Sequence, residues 1–266
     1  MDEIDRRTFL AGAALATGAL LAACSRNGGS ASTTTSPSAT EPPHWHYEGE
    51  AGPQRWGELD PAYATCSTGR MQSPIDIVNP SPSGTTSPTL AYRRAPANVV
   101  NNGHTVQADA GAGLAMTLDG TDYELLQMHF HAPSEHAFSG RTAPVELHFV
   151  HRAASGQLAV LGLLVQEGVT NPAWRPFVDV LGTPEGGHAA VDLDWPALVP
   201  TPLTTVRYIG SLTTPPCTEG VQWLVARDTL VLGPAQITAF TDAYADNSRP
   251  RQPLNGRAVT VDAPSR

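Results

Sequence analysis

The stretch QMHFHAPSEH, residues 127–136, carries three of the nine histidines in a chain of 266 residues. Its alternation is that of a β-strand, in which successive side chains point to opposite faces. Gln127, His129 and His131 then share one face, while Met128 and Phe130 share the other with Leu126. One face can chelate and the other can pack into a core. Two imidazoles at i and i+2 are able to grip a metal ion, but H-x-H on its own is common and unspecific. A metal centre needs a third ligand from elsewhere in the chain.

The next apolar run, APVELHFVHR at 143–152, supplies one. Glu146, His148 and Val150 fall on one face of it, and Leu147, Phe149 and His151 on the other. If this strand lies antiparallel beside the first, His148 meets His129 and His131 across a ladder whose facing side chains are about 5 Å apart. Three neutral imidazoles leave a fourth tetrahedral position open, which marks a catalytic zinc rather than a structural one. Magnesium and calcium prefer oxygen ligands, so zinc suits the set better. Glu146 alone reads as a surface carboxylate, and His151 as a structural histidine.

Composition sets the frame around this pair of strands. The chain is 41% hydrophobic and 15% charged, which is globular, with a net charge of −9 and sixteen arginines but no lysine. That balance excludes a nucleic-acid footprint. Short apolar or alternating runs at 98–100, 105–108, 114–118, 123–131, 145–151, 158–166, 205–209 and 222–226 read as strands. Helical signals are few: 172–181, with Asn171 as N-cap and a proline in the first turn, and 234–245 after Gly233. The expectation is a mainly β (α+β) single domain over residues 44–262, in which 24 prolines and 24 glycines make much of the rest ordered loop.

The N-terminus reads as an address. MDEIDRRTFLAGAALATGALLAAC places Arg6 and Arg7 before an uncharged Ala/Leu/Gly run too short for a comfortable membrane span, the layout of an export signal over 1–23. R-R-T-F-L resembles the twin-arginine export motif, with Ala11 where lysine is common, and Leu21-Ala22-Ala23-Cys24 resembles a bacterial lipobox. Residues 24–43 are then a flexible Ser/Thr/Pro tether. The implied place is outside the cytoplasm, at the outer face of the cytoplasmic membrane or in the periplasm, held by lipid on Cys24. With Cys24 so used, Cys66 and Cys217 remain either as a disulfide, adding about 4–5 kcal/mol at most in the chain-entropy model, or as two buried thiols.

Eight ordered motifs carry a family resemblance: HWHY, QSPIDI, NNGHTV, QMHFHAPSEH, VELHFVH, LAVLG, GSLTTPP and NSRPRQPL. From about residue 44 to 257 the chain resembles the α-class carbonic anhydrases. The resemblance implies a single domain around a large, mostly antiparallel twisted sheet with a few short helices, and one zinc per chain at the bottom of a conical cleft. It implies reversible hydration of CO2 to bicarbonate by zinc-hydroxide attack. His129, His131 and His148 match the zinc ligands, and Gln127 and Glu146 the residues that orient two of them.

The same resemblance assigns Glu135 and Thr213 to aiming the hydroxide, and His104 to carrying the proton out of the cleft. Tyr47, Asn102 and Gln107 match polar positions that hold the intervening waters. Val150, Val160, Leu212, Val221 and Trp223 match an apolar CO2 pocket, with Thr213 and Thr214 beside the substrate. His136 matches a structural position. Two other readings stand beside the enzyme: a catalytically inactive carbonic-anhydrase-like binding module, which would have lost a ligand histidine, and a lipid-tethered receptor for a metal or solute, suggested by the HWH near the tether.

Overall fold

β-branched and aromatic residues alternate through the runs named above, and in the computed structural model, which describes residues 44–265, they pair into sheet. These residues fall within one compact unit. The expected leader, Cys24 and the whole of the tether lie outside the described residues. In chain order the strands are β1 (Asp76–Ile77), β2 (Ser81–Thr86), β3 (Thr89–Ala91), β4 (Arg94–Asn101) and β5 (Val106–Ala110). There follow β6 (Ala115–Leu118), β7 (Thr121–His131), β8 (Ala137–Phe138), β9 (Val145–Ala153) and β10 (Leu158–Glu167). The last are β11 (His188–Asp194), β12 (Thr205–Ser211), β13 (Glu219–Ala226), β14 (Leu230–Leu232) and β15 (Thr260–Ala263).

Thirteen of these strands make one sheet, in the order β11-β4-β5-β7-β9-β10-β13-β12-β15-β2, with β14 beside β10, and β6 joining β3 to β7. Pairing is antiparallel except at β10–β13, β10–β14 and β15–β2. The expected large, mostly antiparallel sheet is what the chain builds. β1 and β8 form a separate parallel pair. Among the described residues no helix is long and apolar enough to cross a membrane.

The middle of the sheet is buried on both faces, and alternation sorts the side chains between them. On one face Met128, Phe130, Leu147, Phe149, Leu161 and Leu163 join the main apolar core. Each such side chain contributes roughly 1.5–3 kcal/mol when fully withdrawn from water. On the other face β9 presents Glu146, His148 and Val150, and β10 presents Val160, Gly162 and Leu164. A second apolar cluster gathers Val150, Val160 and Leu164 with Val221, Trp223 and Tyr208.

Two local expectations change. Leu126 does not pack with Met128 and Phe130; the register slips between Leu125 and Gln127, so Leu125 takes the core position and Leu126 is left half-buried. A bulge shifts the phase of a strand by one residue, which alternation alone cannot anticipate. The helix read at 172–181 is a 3-10 turn, Pro172–Trp174, running into a short α-helix, Arg175–Val178. Its cap is as expected, since the Asn171 side chain accepts from the Ala173 amide. The second helix spans Pro234–Ala243.

His151 lies on the core face and is fully buried, its Nε2 bonded to the Tyr92 hydroxyl at 2.6 Å. Burial pushes its pKa down to about 4. The unfolded chain, with an imidazole near 6.5, binds this proton more tightly, so His151 withdraws stability as pH falls from about 6.5 toward 4. Thermal melts of the wild type and His151→Gln between pH 7.5 and 5 should therefore show a shallower loss in the variant. Parallel curves would remove His151 as a source of acid lability.

Candidate metal centre

The β7–β9 register sets His129 directly opposite His148, and His131 opposite Glu146. On the far side of β9, His148 faces Gly162. The donor nitrogens of His129, His131 and His148 lie within 4.8 Å of one another, close enough to hold one metal ion. That is the juxtaposition expected from the two strand patterns.

Each of the three imidazoles commits one nitrogen to a protein acceptor. His129 donates from Nδ1 to Gln127 Oε1 at 2.8 Å, and His148 from Nε2 to Glu146 Oε1 at 2.9 Å. His131 donates from Nδ1 to the backbone carbonyl of Asn247 at 2.7 Å. These acceptors fix the tautomers, leaving lone pairs on Nε2 of His129, Nε2 of His131 and Nδ1 of His148. His131 Nε2 is buried with no hydrogen-bond partner. An orphaned acceptor in a dry site is costly unless something binds it, and a cation among three neutral imidazoles fits. Burial keeps the rings neutral: it lowers His129 well below the ordinary value, with His131 and His148 adding, and takes His131 to about 4.

A buried carboxylate anchors the far side of His148. Burial alone would raise the pKa of Glu146, but His136 and His148 hold it well below the usual range. Its oxygens accept from the His136 amide at 2.8 Å and from His136 Nδ1 at 2.7 Å, besides His148. His136 Nε2 then meets the Tyr208 hydroxyl at 2.7 Å, which meets Ser73 Oγ at 2.7 Å. His136 is thus a strut behind the centre, in line with its expected structural place.

Glu135 is also buried, with Oε1 fixed by the Arg249 amide at 2.8 Å. Its Oε2 lies 3.6 Å from His131 Nε2 and 4.0 Å from His148 Nδ1, facing the free nitrogens. Burial pushes this carboxyl up to about 7, against the opposing pull of His148, the Arg249 amide and the nearby Thr213 hydroxyl. Thr213 is buried and Thr214 half-buried, on the segment that ends in Cys217. Cys217 is disulfide-bonded to Cys66, so the pair is a bridge and not two thiols.

The apolar positions group as expected. Val150 faces Val160, which faces Trp223, making a row across three strands next to the His148 row. Val221 belongs to the same cluster, and Leu212 packs against it. The Trp223 and His148 rings lie 4.9 Å apart.

Tyr47 stands between the His131 and His104 rings, 6.5 and 6.4 Å from them. The Asn102 side-chain oxygen accepts from the amides of His104 and Thr105, so it shapes the turn that presents His104. Gln107 donates to Asp109 at 2.5 Å. The His104 ring stacks on Trp45 with centroids 3.7 Å apart. Burial pushes its pKa down to about 4, and His44 and His46 add to the shift.

Besides Arg249, Tyr208 and Ser73, two further residues at the centre escaped the sequence reading. Asn247 orients His131 through its carbonyl, and its side chain accepts from the Ala132 amide while donating to the carbonyls of His104 and Phe130. Its only signal was its place in the NSRPRQPL motif. Gly162 is the other: a Cβ there would stand 3.0 Å from Glu146 Oε1 and 3.8 Å from the His148 ring.

Three histidines that could hold a metal ion, set on a large, mostly antiparallel sheet beside two buried carboxylates, make the kind of centre that metalloenzymes use. The sequence profile of the eukaryotic-type carbonic anhydrases matches residues 51–263, and the chain belongs to that family. A carbonic anhydrase from Pectobacterium carotovorum is 41% identical over 84% of this chain and 93% of its own. One from Nostoc sp. is 39% identical over 86% and 89%. Among solved structures, the α-carbonic anhydrase of Thermovibrio ammonificans in complex with the inhibitor sulfanilamide has a TM-score of 0.78 at 38% identity, covering 82% of this chain and 98% of that one.

Gly162→Ala should crowd Glu146 and weaken its hold on His148. The expected result is metal affinity lower by about 10–100-fold in chelator competition, with the fold intact by circular dichroism. Unchanged affinity would show that the glycine serves the sheet alone.

Proposed function

We propose that the chain catalyses the reversible hydration of CO2 to bicarbonate with one zinc held by His129 Nε2, His131 Nε2 and His148 Nδ1. The observation that carries this reading is the arrangement of the three free nitrogens, each ring fixed from behind and one of them buried without a partner. Three nitrogen donors suit zinc. Zinc bound there would lower the pKa of a water to about 7, an established property of carbonic anhydrases.

The protein's own groups do the rest. Glu135, pinned through Oε1 by the Arg249 amide, accepts from the nearby Thr213 hydroxyl, whose oxygen is then left as an acceptor for the proton of the attacking oxygen. The direction of its remaining lone pair is set before substrate arrives. Val150, Val160, Leu212, Val221 and Trp223 form an apolar wall beside the centre, fit for a small uncharged molecule, and Thr214 borders it. His104 carries the released proton outward, with Tyr47, Asn102 and Gln107 holding water between it and the centre.

All three ligand histidines, Glu135 and Thr213 are in place, which speaks against an inactive binding module. Zinc analysis followed by stopped-flow CO2 hydration tests the proposal: one zinc per chain and activity blocked by a sulfonamide are expected. Glu135→Gln should keep its zinc and lose about a hundredfold in kcat/KM. A chain loaded with zinc yet inactive would overturn the enzyme reading in favour of the binding module.

We also propose export as a lipoprotein, with residues 1–23 as leader, 24–43 as tether and 44–262 as the catalytic domain. The support is the RRTFL and LAAC patterns alone. Cys24→Ala should move the protein from the membrane fraction to the soluble exported fraction; a variant that stays with the membrane would count against lipidation.

A further inference from the structure

Glu135 follows β7, while Thr213 lies between β12 and β13, so the angle between the two side chains depends on how these segments are held to each other. A third stretch, Gln72 and Ser73, is bonded to both. On the Thr213 side, the Ser73 amide donates to Ser211 Oγ at 2.9 Å and the Ser211 amide to Ser73 Oγ at 3.0 Å. Gln72 Nε2 donates to the Cys217 carbonyl at 3.1 Å, and the Cys217 amide to the Thr214 carbonyl at 2.8 Å. The loop that carries Thr213 is therefore fixed at both ends to Gln72 and Ser73.

On the Glu135 side the connection runs through Arg249, whose amide holds the carboxylate. Its guanidinium donates from Nη1 to Gln72 Oε1 and to the Ser73 carbonyl, both at 2.8 Å, and from Nη2 to the Cys66 carbonyl at 2.9 Å. The Gln72 side chain thus accepts from Arg249 with one end and donates to Cys217 with the other. A Cβ at Gly69 would collide with that amide, so the backbone leaves room for it.

We propose that the Arg249 guanidinium and the Gln72 amide form a positioning clamp that sets the angle between Glu135 and Thr213, and through it the rate of attack on CO2. This rests on the reading of Glu135 and Thr213 as the pair that aims the attacking oxygen. Neither member of the clamp touches substrate. Arg249 is buried, its side-chain hydrogen bonds go to neutral oxygens, and its flat face lies 5.7 Å from the centre of the Trp56 ring. Burial lowers its pKa to about 10, with Glu135 opposing, so it stays charged at neutral pH. A buried charge with neutral partners adds little to stability. What the rigid fork supplies, and a lysine ammonium does not, is fixed directions to several oxygens at once.

The test places Arg249→Lys and Gln72→Met in the zinc-loaded full chain, each alone and combined with Glu135→Gln. Alone, each should lose roughly ten- to a hundredfold in kcat/KM. Zinc affinity in chelator competition should hold, because the acceptors behind the three imidazoles are untouched. With Glu135→Gln already present, the further loss should be under about threefold, since residues acting through one another are not additive. An equal loss in both backgrounds would make the clamp mere scaffold and overturn the proposal. So would activity lost in step with zinc, or wild-type kcat/KM in Gln72→Met, the milder change should Arg249→Lys fail to fold. A wild-type chain inactive with its zinc bound removes the reading of Glu135 and Thr213 and the clamp with it; an active one with equal losses removes the clamp alone.

Discussion

A neutral imidazole has one nitrogen that donates and one that accepts, and the centre depends on the donor being tied to protein. Buried rings left to choose could present either nitrogen to the cleft. Gln127, the Asn247 carbonyl and Glu146 remove that choice for His129, His131 and His148. The carboxylate does so most firmly, because it is charged, buried and shared between His148 and His136. A line of hydrogen bonds then runs from His148 through Glu146, His136 and Tyr208 to Ser73, so the orientation of one ligand is braced across the sheet.

The sheet makes this arrangement affordable by separating two environments across one strand. β9 is buried along nearly its whole length. Its core face is hydrocarbon except for His151, and its other face carries Glu146, His148 and Val150 in succession, from carboxylate to imidazole to apolar side chain. On one side β7 continues the face with His131, His129 and Gln127, all polar, and on the other β10 continues it with Leu164, Gly162 and Val160, all apolar. Polar and apolar walls of the cleft are consequences of one two-residue period, read on neighbouring strands in the same register.

Much of this was legible in the residues. The faces of 127–131 and 145–151 pointed to a cluster of His129, His131 and His148 once the strands were set antiparallel, and the β7–β9 register brings those three together. What was not legible came from partners distant in sequence or without a side chain to notice. Asn247 acts on His131 through a backbone carbonyl, which no residue type announces. Gly162 matters for the space it leaves. Leu126 was misplaced because a bulge breaks the period. β11 and β2 were passed over as well: HAAVDLD is an exposed edge and SPSGTT reads as loop, and each is a strand because a neighbour pairs with it. Residue roles around His104, such as that of Asn102, rested on family likeness, and its hydrogen bonds show a turn-shaping use besides.

The segment around Asn247 and Arg249 has a bearing on the order in which the protein matures. His131 receives its acceptor from 116 residues downstream, and Glu135 its fixing amide from 114. A chain made only as far as β9 contains His129 and His148 but lacks both of these groups. It cannot yet orient His131 or hold Glu135. The three-histidine cluster is completed only when the last part of the domain has been made and packed against it.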